Sequence, residues 1–404
     1  MFKLCHKKAT FTRKRINDNI KHMFGSKINT DKNRIREILD RHTATLYPSR
    51  QEVEKRMEEG KKLKIYYGID PTGPDIHLGH TVQLLFLKKL IQLGHEIILL
   101  IGDFTARIGD PTDKDATRKP LTEKDVNSNM RTYLEQVSKI IPKGLFKVEY
   151  NNSWLSKMNF ETVIKLASHV TVQQMIVRDM FQERIKNEKP ISVHEFLYPL
   201  MQGYDSVAMK VDGEVGGNDQ TFNMLIGRDL EKEYLGKDKL VFVTKLLVGS
   251  SGKKMSKSEG EIIAMSDQPQ EIRRKILMID DLTIQTLFEL CTEKSIDWIE
   301  QNKDRNPREL KEELADELVK MYHGESAIEE SRKPRKITGG ATLISTMVIA
   351  GLADSNSKGK ELINQGAVQV GGSVIKEWDF PIKIGDRLKI GKGIEVEIEK
   401  IKTQ

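Results

Sequence analysis

The sequence predicts an α/β protein built on a parallel sheet, followed by a helical domain and a small α+β module. Three observations carry this reading. KIYYGI (Lys64–Ile69) has the apolar texture of a buried strand. LGHTVQLLFLKKLIQLG (Leu78–Gly94) repeats Leu84, Leu87, Leu90 and Ile91 at helical spacing and stops at Gly94. HEIILLIGD (His95–Asp103) is apolar without alternation, the pattern of a parallel strand covered on both faces. Strand, helix and strand within about 40 residues form a βαβ unit, whose crossover is right-handed.

The remaining elements follow in order. VEYNNSW and KLVFVTKLLVG read as further strands, with helices around 161–187 and 194–210. After about residue 260 the pattern turns helical. In NPRELKEELADELVKMYHG, Asn306 is placed to cap, Pro307 to open and Gly324 to close a helix, with Leu310, Leu314 and Leu318 on one face. SRKPRKITGG (Ser331–Gly340) reads as a linker. Beyond it, SKGKELINQG, AVQVGGSVI and DRLKIGKGIEVEIEKI read as a helix and hairpin-rich strands. The expected divisions are 1–30, a basic extension; 31–260, the parallel-sheet domain; 261–335, the helical domain and linker; and 336–404, the terminal module.

Composition narrows the function classes. The 404 residues are 38% hydrophobic and 31% charged, ordinary for a globular protein. No apolar run reaches the roughly 18 residues of a membrane span, so no membrane partner is expected. Two distant cysteines, Cys5 and Cys291, make neither a disulfide framework nor a zinc knuckle and fit a reducing cytoplasm. Residues 1–30 hold eight Lys/Arg against the single acid Asp18, which accounts for the whole net charge of +7. The basic character therefore belongs to the N-terminal arm, whose expected state is a disordered leader.

Chemistry concentrates in two loops. GIDPTGPDIHLGH (Gly68–His80) is the first βα loop, and ligands of open parallel sheets bind beyond the carboxyl ends of strands. His77 and His80 stand at a helix mouth, where free N–H groups and the helix dipole favour phosphate, and Gly79 allows close backbone approach. Metal ligation is disfavoured, because no Glu lies between the histidines and no third ligand follows at a suitable spacing. A structural role for the pair stays open. The second loop, GSSGKKMSKSEG (Gly249–Gly260), sets Lys254 and Lys257 among Gly and Ser.

Together, His-Leu-Gly-His and Lys-Met-Ser-Lys-Ser resemble the two hallmark motifs of class I aminoacyl-tRNA synthetases. DFTARIGDPTDKDATR (Asp103–Arg118), HEFLYPLMQGYDSVAM (His194–Met209) and EVGGNDQTFNMLIGRDL (Glu214–Leu230) resemble tyrosyl-tRNA synthetases of the bacterial type, over about residues 31–404. The resemblance implies a Rossmann-like catalytic domain, ATP as substrate with Mg²⁺ accompanying it, L-tyrosine and tRNA(Tyr) as the other substrates, and a homodimer contacting through Thr171–Lys189. It implies that Tyr66 and Asp205 meet the phenolic hydroxyl, and that Asp110, Tyr198 and Gln202 hold the α-ammonium. Asp70 and Gln220 would line the amino-acid and adenylate pocket. Gly217, Asp219 and His80 would meet the ribose, with Gly79 beside them. Thr72 and His77 would stabilise the departing phosphates. Lys114, Arg118, Lys254 and Lys257 would close over pyrophosphate, the last two within an ATP-contacting string completed by Met255, Ser256 and Ser258.

The chemistry suits these residue types. Attack of a carboxylate on an α-phosphate builds negative charge that positioned donors neutralise. A site built to bond a hydroxyl rejects the analogue lacking it by about 10⁴–10⁵, so no editing domain is needed. Tyr198, Gln202 and Asp205 at i, i+4 and i+7 share one helix face. Departures from the family pattern are Tyr67, where many relatives carry a small or aliphatic residue, and Gln83, where some carry a small hydroxyl. The terminal module resembles a small RNA-binding fold, and residues 331–404 carry thirteen basic and eight acidic side chains. Two alternatives remain: a tryptophanyl enzyme of the same fold, and a non-catalytic RNA-binding or splicing factor on a synthetase scaffold.

Overall fold

The structure, a computed structural model, describes residues 27–112, 121–247, 262–391 and 394–402. Contacts divide the chain into two units, Met1–Val248 with Glu289–Cys291, and Gly249–Phe288 with Thr292–Gln404.

The first unit is organised by six strands: β1 (Thr43–Tyr47), β2 (Lys64–Ile69), β3 (Glu96–Ile101), β4 (Lys147–Tyr150), β5 (Gly213–Gly217) and β6 (Leu240–Thr244). They lie in the order β1-β6-β5-β2-β3-β4. β1 runs antiparallel to β6 and every other pairing is parallel. From β2 the chain winds outward through β3 and β4, then returns past β2 to lay down β5 and β6. The winding direction thus reverses between β2 and β5, the point at which a doubly wound sheet opens a crevice beyond its carboxyl ends. All residues of β5 and β6 are buried, as parallel strands covered on both faces must be. The antiparallel edge strand β1 has no counterpart in the expectations above.

Local sequence sets the elements around this crevice. The Leu78–Gln92 helix buries Leu84, Leu87, Leu90 and Ile91, and the chain leaves it through Gly94 at φ +97°, a left-handed conformation suited to glycine. The region read as helix around 161–187 is broken into Phe160–Ala167, Val172–Ile176 and Asp179–Lys186, because Asn159 and Thr171 each cap a new start. The Tyr198–Met209 helix opens with Pro199 in its first turn and packs on the Thr221–Leu235 helix. Two glycines meet at that crossing: a Cβ on Gly203 would lie 3.0 Å from the Gly227 nitrogen.

In the second unit the Pro269–Leu277 and Pro307–His323 helices pack together. Asn306 caps the latter and accepts a hydrogen bond from the Arg308 N–H. The terminal sheet holds β7 (Arg335–Gly339), β8 (Val368–Val370), β9 (Ser373–Val374), β10 (Arg387–Ile390) and β11 (Ile394–Ile401) in the order β7-β11-β10-β8-β9. Its core gathers Ile337, Leu343, Met347, Ile363, Leu388 and Ile398. Strand β7 lies inside the segment read as linker. Its alternate residues Ile337 and Gly339 are buried, and its parallel partner β11 comes from the far end of the chain, which a local reading does not reveal.

Candidate active site

The loop after β2 carries the first functional groups. Tyr133 donates to the Gly73 carbonyl at 2.6 Å, Gln136 to Pro74 at 2.9 Å and Asn129 to Pro71 at 3.0 Å, so the Gly/Pro turn is held from outside by side-chain donors. His77 caps the Leu78–Gln92 helix and His80 completes a reciprocal capping box. The Gly79 N–H donates to His77 Nδ1 at 3.1 Å and the His77 N–H donates to His80 Nδ1 at 3.3 Å. With Nδ1 accepting in both rings, each neutral imidazole carries its proton on Nε2. Gly79 is required here, since a Cβ would lie 2.8 Å from His77 Cε1.

At the switch point the expected amino-acid residues come together. Tyr198 donates to Asp70 Oδ2 at 2.9 Å, and Thr105 donates to Asp70 Oδ1 at 2.7 Å. Gln220 donates to Asp110 Oδ2 at 2.6 Å, and Asp110 Oδ1 accepts from the Thr112 N–H at 2.9 Å. Asn223 gives one hydrogen bond to Gln202 Oε1 and one to Gln220 Oε1, each 3.0 Å. Burial, followed by the charges of Asp70 and Asp110, raises the Tyr198 phenol well above its ordinary range, so it stays a donor.

Asp205 lies deeper and is only 2% exposed. Its Oδ1 accepts from Trp154 Nε1 at 2.7 Å and its Oδ2 from Asn151 Nδ2 at 3.2 Å. Burial pushes this carboxyl well above the usual carboxylate range, while the two donors pull it back. Tyr66 is buried among Ile98, Leu100, Met209 and Val211, and its hydroxyl pairs with Ser206 Oγ at 3.1 Å. Gln83 turns its amide to Thr244 Oγ1, which in turn donates to the Gly216 carbonyl. Tyr67 is buried, and desolvation raises its phenol above the ordinary range. Gly217 ends β5, and a Cβ there would lie 2.5 Å from Asp219 Oδ1. Thr72 follows in the β2 loop, its N–H donating to the Asp70 carbonyl at 2.8 Å. Lys114, Arg118, Lys254, Met255, Ser256, Lys257 and Ser258 lie outside the described residues. Among the described residues, no cluster of three or more His, Cys, Asp or Glu could hold a metal ion.

Several participants were not legible as site residues. Asn151 and Trp154 sit in a stretch read as strand, but β4 ends at Tyr150 and both fall just beyond its carboxyl end, the position where ligands collect. Gly102 abuts Asp70 so closely that a Cβ would lie 1.8 Å from Asp70 Oδ1. Glu214 and Lys239 form a fully buried ion pair. Their signal was a lone acid within GEVGG and a lone base entering LVFVT, opposite charges on adjacent apolar strands.

Comparisons with known proteins identify the family. Residues 57–333 match the family model described as tRNA synthetases class I (W and Y), and residues 343–388 match the S4 domain. The tyrosine–tRNA ligase of Carboxydothermus hydrogenoformans is 42% identical over 391 residues, covering 88% of this chain and 95% of the relative. That of Moorella thermoacetica is 40% identical over 384 residues, covering 88% and 93%. A truncated mitochondrial tyrosyl-tRNA synthetase of Aspergillus nidulans superposes with a TM-score of 0.61 at 23% identity, over 74% of this chain and 91% of its own. The tyrosyl-tRNA synthetase of Archaeoglobus fulgidus in complex with L-tyrosine superposes at 0.59 and 22% identity, over 74% and 99%. A family model matching residues 57–333 and relatives at about 40% identity along most of the chain lead to one assignment: the chain belongs to the tyrosine–tRNA ligases of the class I tRNA synthetases.

Proposed function

We propose that this protein activates L-tyrosine with ATP to tyrosyl-adenylate, releasing pyrophosphate, and transfers the tyrosyl group to the 3′-terminal adenosine of tRNA(Tyr), releasing AMP. What carries the reading is two sets of acceptors near the carboxyl ends of the strands, joined through Thr105 and Asn151. One set gathers Asp70, Asp110, Tyr198, Gln202 and Gln220, whose oxygens suit an ammonium. The other is the buried Asp205, an acceptor matched to a phenolic hydroxyl. Because the Tyr66 hydroxyl is engaged by Ser206, Asp205 bears the phenol recognition and Tyr66 lines the cavity beside it.

With the substrate held by these two sets, its carboxylate attacks the α-phosphorus of ATP. A C–O–P bond forms, and the bond to the β-phosphate oxygen breaks to free pyrophosphate. Mg²⁺ enters as the complex of ATP. The Nε2–H group of His77, at the mouth of a helix, donates to phosphate oxygens as charge accumulates, with Thr72 alongside, while His80 stands at the ribose. Gly217 and Asp219 take the ribose. Lys114, Arg118, Lys254 and Lys257 are assigned to the pyrophosphate by resemblance. The terminal module contacts structured tRNA through backbone phosphates. A cytoplasmic setting is part of the proposal, on the sequence reading of two distant cysteines; among the described residues no helix is long and apolar enough to cross a membrane.

A homodimer is part of the same proposal. Phe160, Ile164, Val172, Val177, Ile185 and Val193 are all exposed within one short stretch of chain, an apolar concentration that single scattered residues do not produce. Sedimentation of the wild type against Val177→Asp tests it, with a shift toward monomer expected.

Pyrophosphate exchange into ATP, run with each of the twenty amino acids, tests the reaction. Exchange with tyrosine alone is expected. Exchange with tryptophan would instead select the tryptophanyl alternative. Folded protein that exchanges with none would overturn the reading in favour of an RNA-binding role.

A further inference from the structure

Behind the ammonium end of the site lies a chain of side chains whose polarity is set from one point. Lys239 is fully buried and donates to Glu214 and, at 2.7 Å, to Ser206 Oγ. The other Glu214 oxygen, Oε1, accepts from Gln202 Nε2 at 3.2 Å. Gln202 Oε1 then accepts from Asn223 Nδ2, which also donates to Gln220 Oε1, each at 3.0 Å. Gln220 Nε2 ends the chain on Asp110 at 2.6 Å. A side-chain amide can be turned either way, but here each end of the chain is a carboxylate, which only accepts. The NH₂ groups of Gln202 and Gln220 must therefore face outward to Glu214 and Asp110. Their oxygens face the shared Asn223 donor and keep a second lone pair each. Among the described residues the carbonyl oxygen of Asn223 itself has no hydrogen-bond partner.

We propose that Lys239 and Glu214 are positioning residues for substrate ammonium recognition: by anchoring this chain, they commit its NH₂ groups to the protein and leave its carbonyl oxygens as acceptors. The inference rests on the tyrosine-activating reading above and deepens it. Lys239 serves by pairing with one Glu214 oxygen and fixing the other toward Gln202 as an acceptor. Glu231 also lies within the electrostatic reach of Lys239 and Glu214, and Asp205 within that of Glu214.

Glu214→Gln gives the sharpest contrast. With Lys239 holding the new amide's oxygen, its NH₂ faces Gln202, which must flip and offer a donor where an acceptor stood. The expected result is a KM for tyrosine raised at least tenfold in pyrophosphate exchange, with the KM for ATP within twofold of wild type. Lys239→Met combined with Glu214→Gln frees the amide to present its oxygen to Gln202, and tyrosine KM is expected to return to within threefold. Lys239→Met combined with Glu214→Met leaves neither charge nor acceptor at this pair, and is expected to lose at least tenfold. These two proteins, without the ion pair, carry the test should Glu214→Gln fail to fold. As a second readout, all variants are expected to bind 3-(4-hydroxyphenyl)propionate, which lacks the ammonium, as the wild type does. Folded Glu214→Gln or double-methionine protein with wild-type tyrosine KM overturns the proposal, as does an equal loss for tyrosine, ATP and the deaminated analogue. Wild-type protein that shows no exchange with tyrosine would instead overturn the underlying function.

Discussion

Replacing Asp205 by asparagine removes one charge from the deepest part of the site and little volume. The surroundings decide how the new amide sits. Trp154 Nε1 can only donate, so it demands the amide oxygen. Asn151 retains Thr105 and the Phe104 N–H as partners and tolerates an NH₂ opposite it. The phenolic hydroxyl of tyrosine then meets a neutral amide rather than a carboxylate. Hydrogen bonds to charged groups contribute about 1.5–3 kcal/mol and neutral ones about 0.5–1.5 kcal/mol. The difference, about 1–2 kcal/mol, corresponds to roughly a five- to thirty-fold fall in the kcat/KM ratio of tyrosine to phenylalanine. Asp205→Ala also leaves the Trp154 donor unpaired and should cost more, on the order of 10²-fold. Pyrophosphate exchange with both amino acids measures the ratio directly, and the KM for ATP serves as the control. A ratio within threefold of wild type in both variants would remove Asp205 from the phenol site.

Other expected outcomes follow from buried groups. Gly102→Ala places a Cβ 1.8 Å from Asp70 Oδ1 and 2.5 Å from Thr105 Oγ1, so tyrosine activation should fall by about 10² or more, measured by the same exchange. Glu231 is buried without a hydrogen-bond partner, and desolvation raises its carboxyl to about 7. Below pH 4.5 both folded and unfolded forms are protonated. As pH rises through that value only the unfolded chain ionises, so a destabilisation grows until about pH 7 and then levels. Glu231→Gln should therefore gain on the order of 1–3 kcal/mol at pH 8 and nothing at pH 4, read from urea unfolding. Desolvation lowers His42 to about 3 and His95 to about 4. Above pH 6.5 both are neutral in either state. Below it the unfolded chain takes protons the folded one refuses, at about 2 kcal/mol per histidine by pH 5. His42→Phe, stacked on Phe86, should remove about 2 kcal/mol of destabilisation at pH 5 relative to pH 7.5, read as the difference from wild type in urea unfolding at the two pH values.

Legibility in the sequence tracked how local the cause was. β2 falls on the residues its apolar texture marks, and the Pro307–His323 helix starts and stops where Asn306 and Gly324 direct, because caps and periodicity act within a few residues. Strand β1 carries no strand signal of its own because TATLY buries only Leu46 and exposes the neighbouring Ala44 and Thr45, and only its pairing with β6 defines it. The same division holds in the site. His77, His80 and the Tyr198–Gln202–Asp205 face were visible as spacing within one element. Asn151, Trp154, Asn223, Glu214 and Lys239 act through partners on other elements, so a linear reading saw only ordinary polar and charged residues. Resemblance supplied Asp110 and Gln220, whose hydrogen bond joins positions 110 residues apart.

The reversal of winding between β2 and β5 has a consequence for the newborn chain. Ile65 of β2 pairs in register with Gly213 of β5, which is 148 positions further along. At roughly 5–20 residues per second of synthesis, β2 emerges about 7–30 seconds before its permanent neighbour exists. During that interval one edge of β2 presents unpaired N–H and C=O groups beside an apolar surface, the arrangement most prone to join the wrong strand. The feature that opens the crevice for substrate thus leaves the nascent protein dependent on whatever shields that edge at the ribosome. Slowing translation between codons 70 and 213 should lower the soluble yield more than the same delay placed after β6.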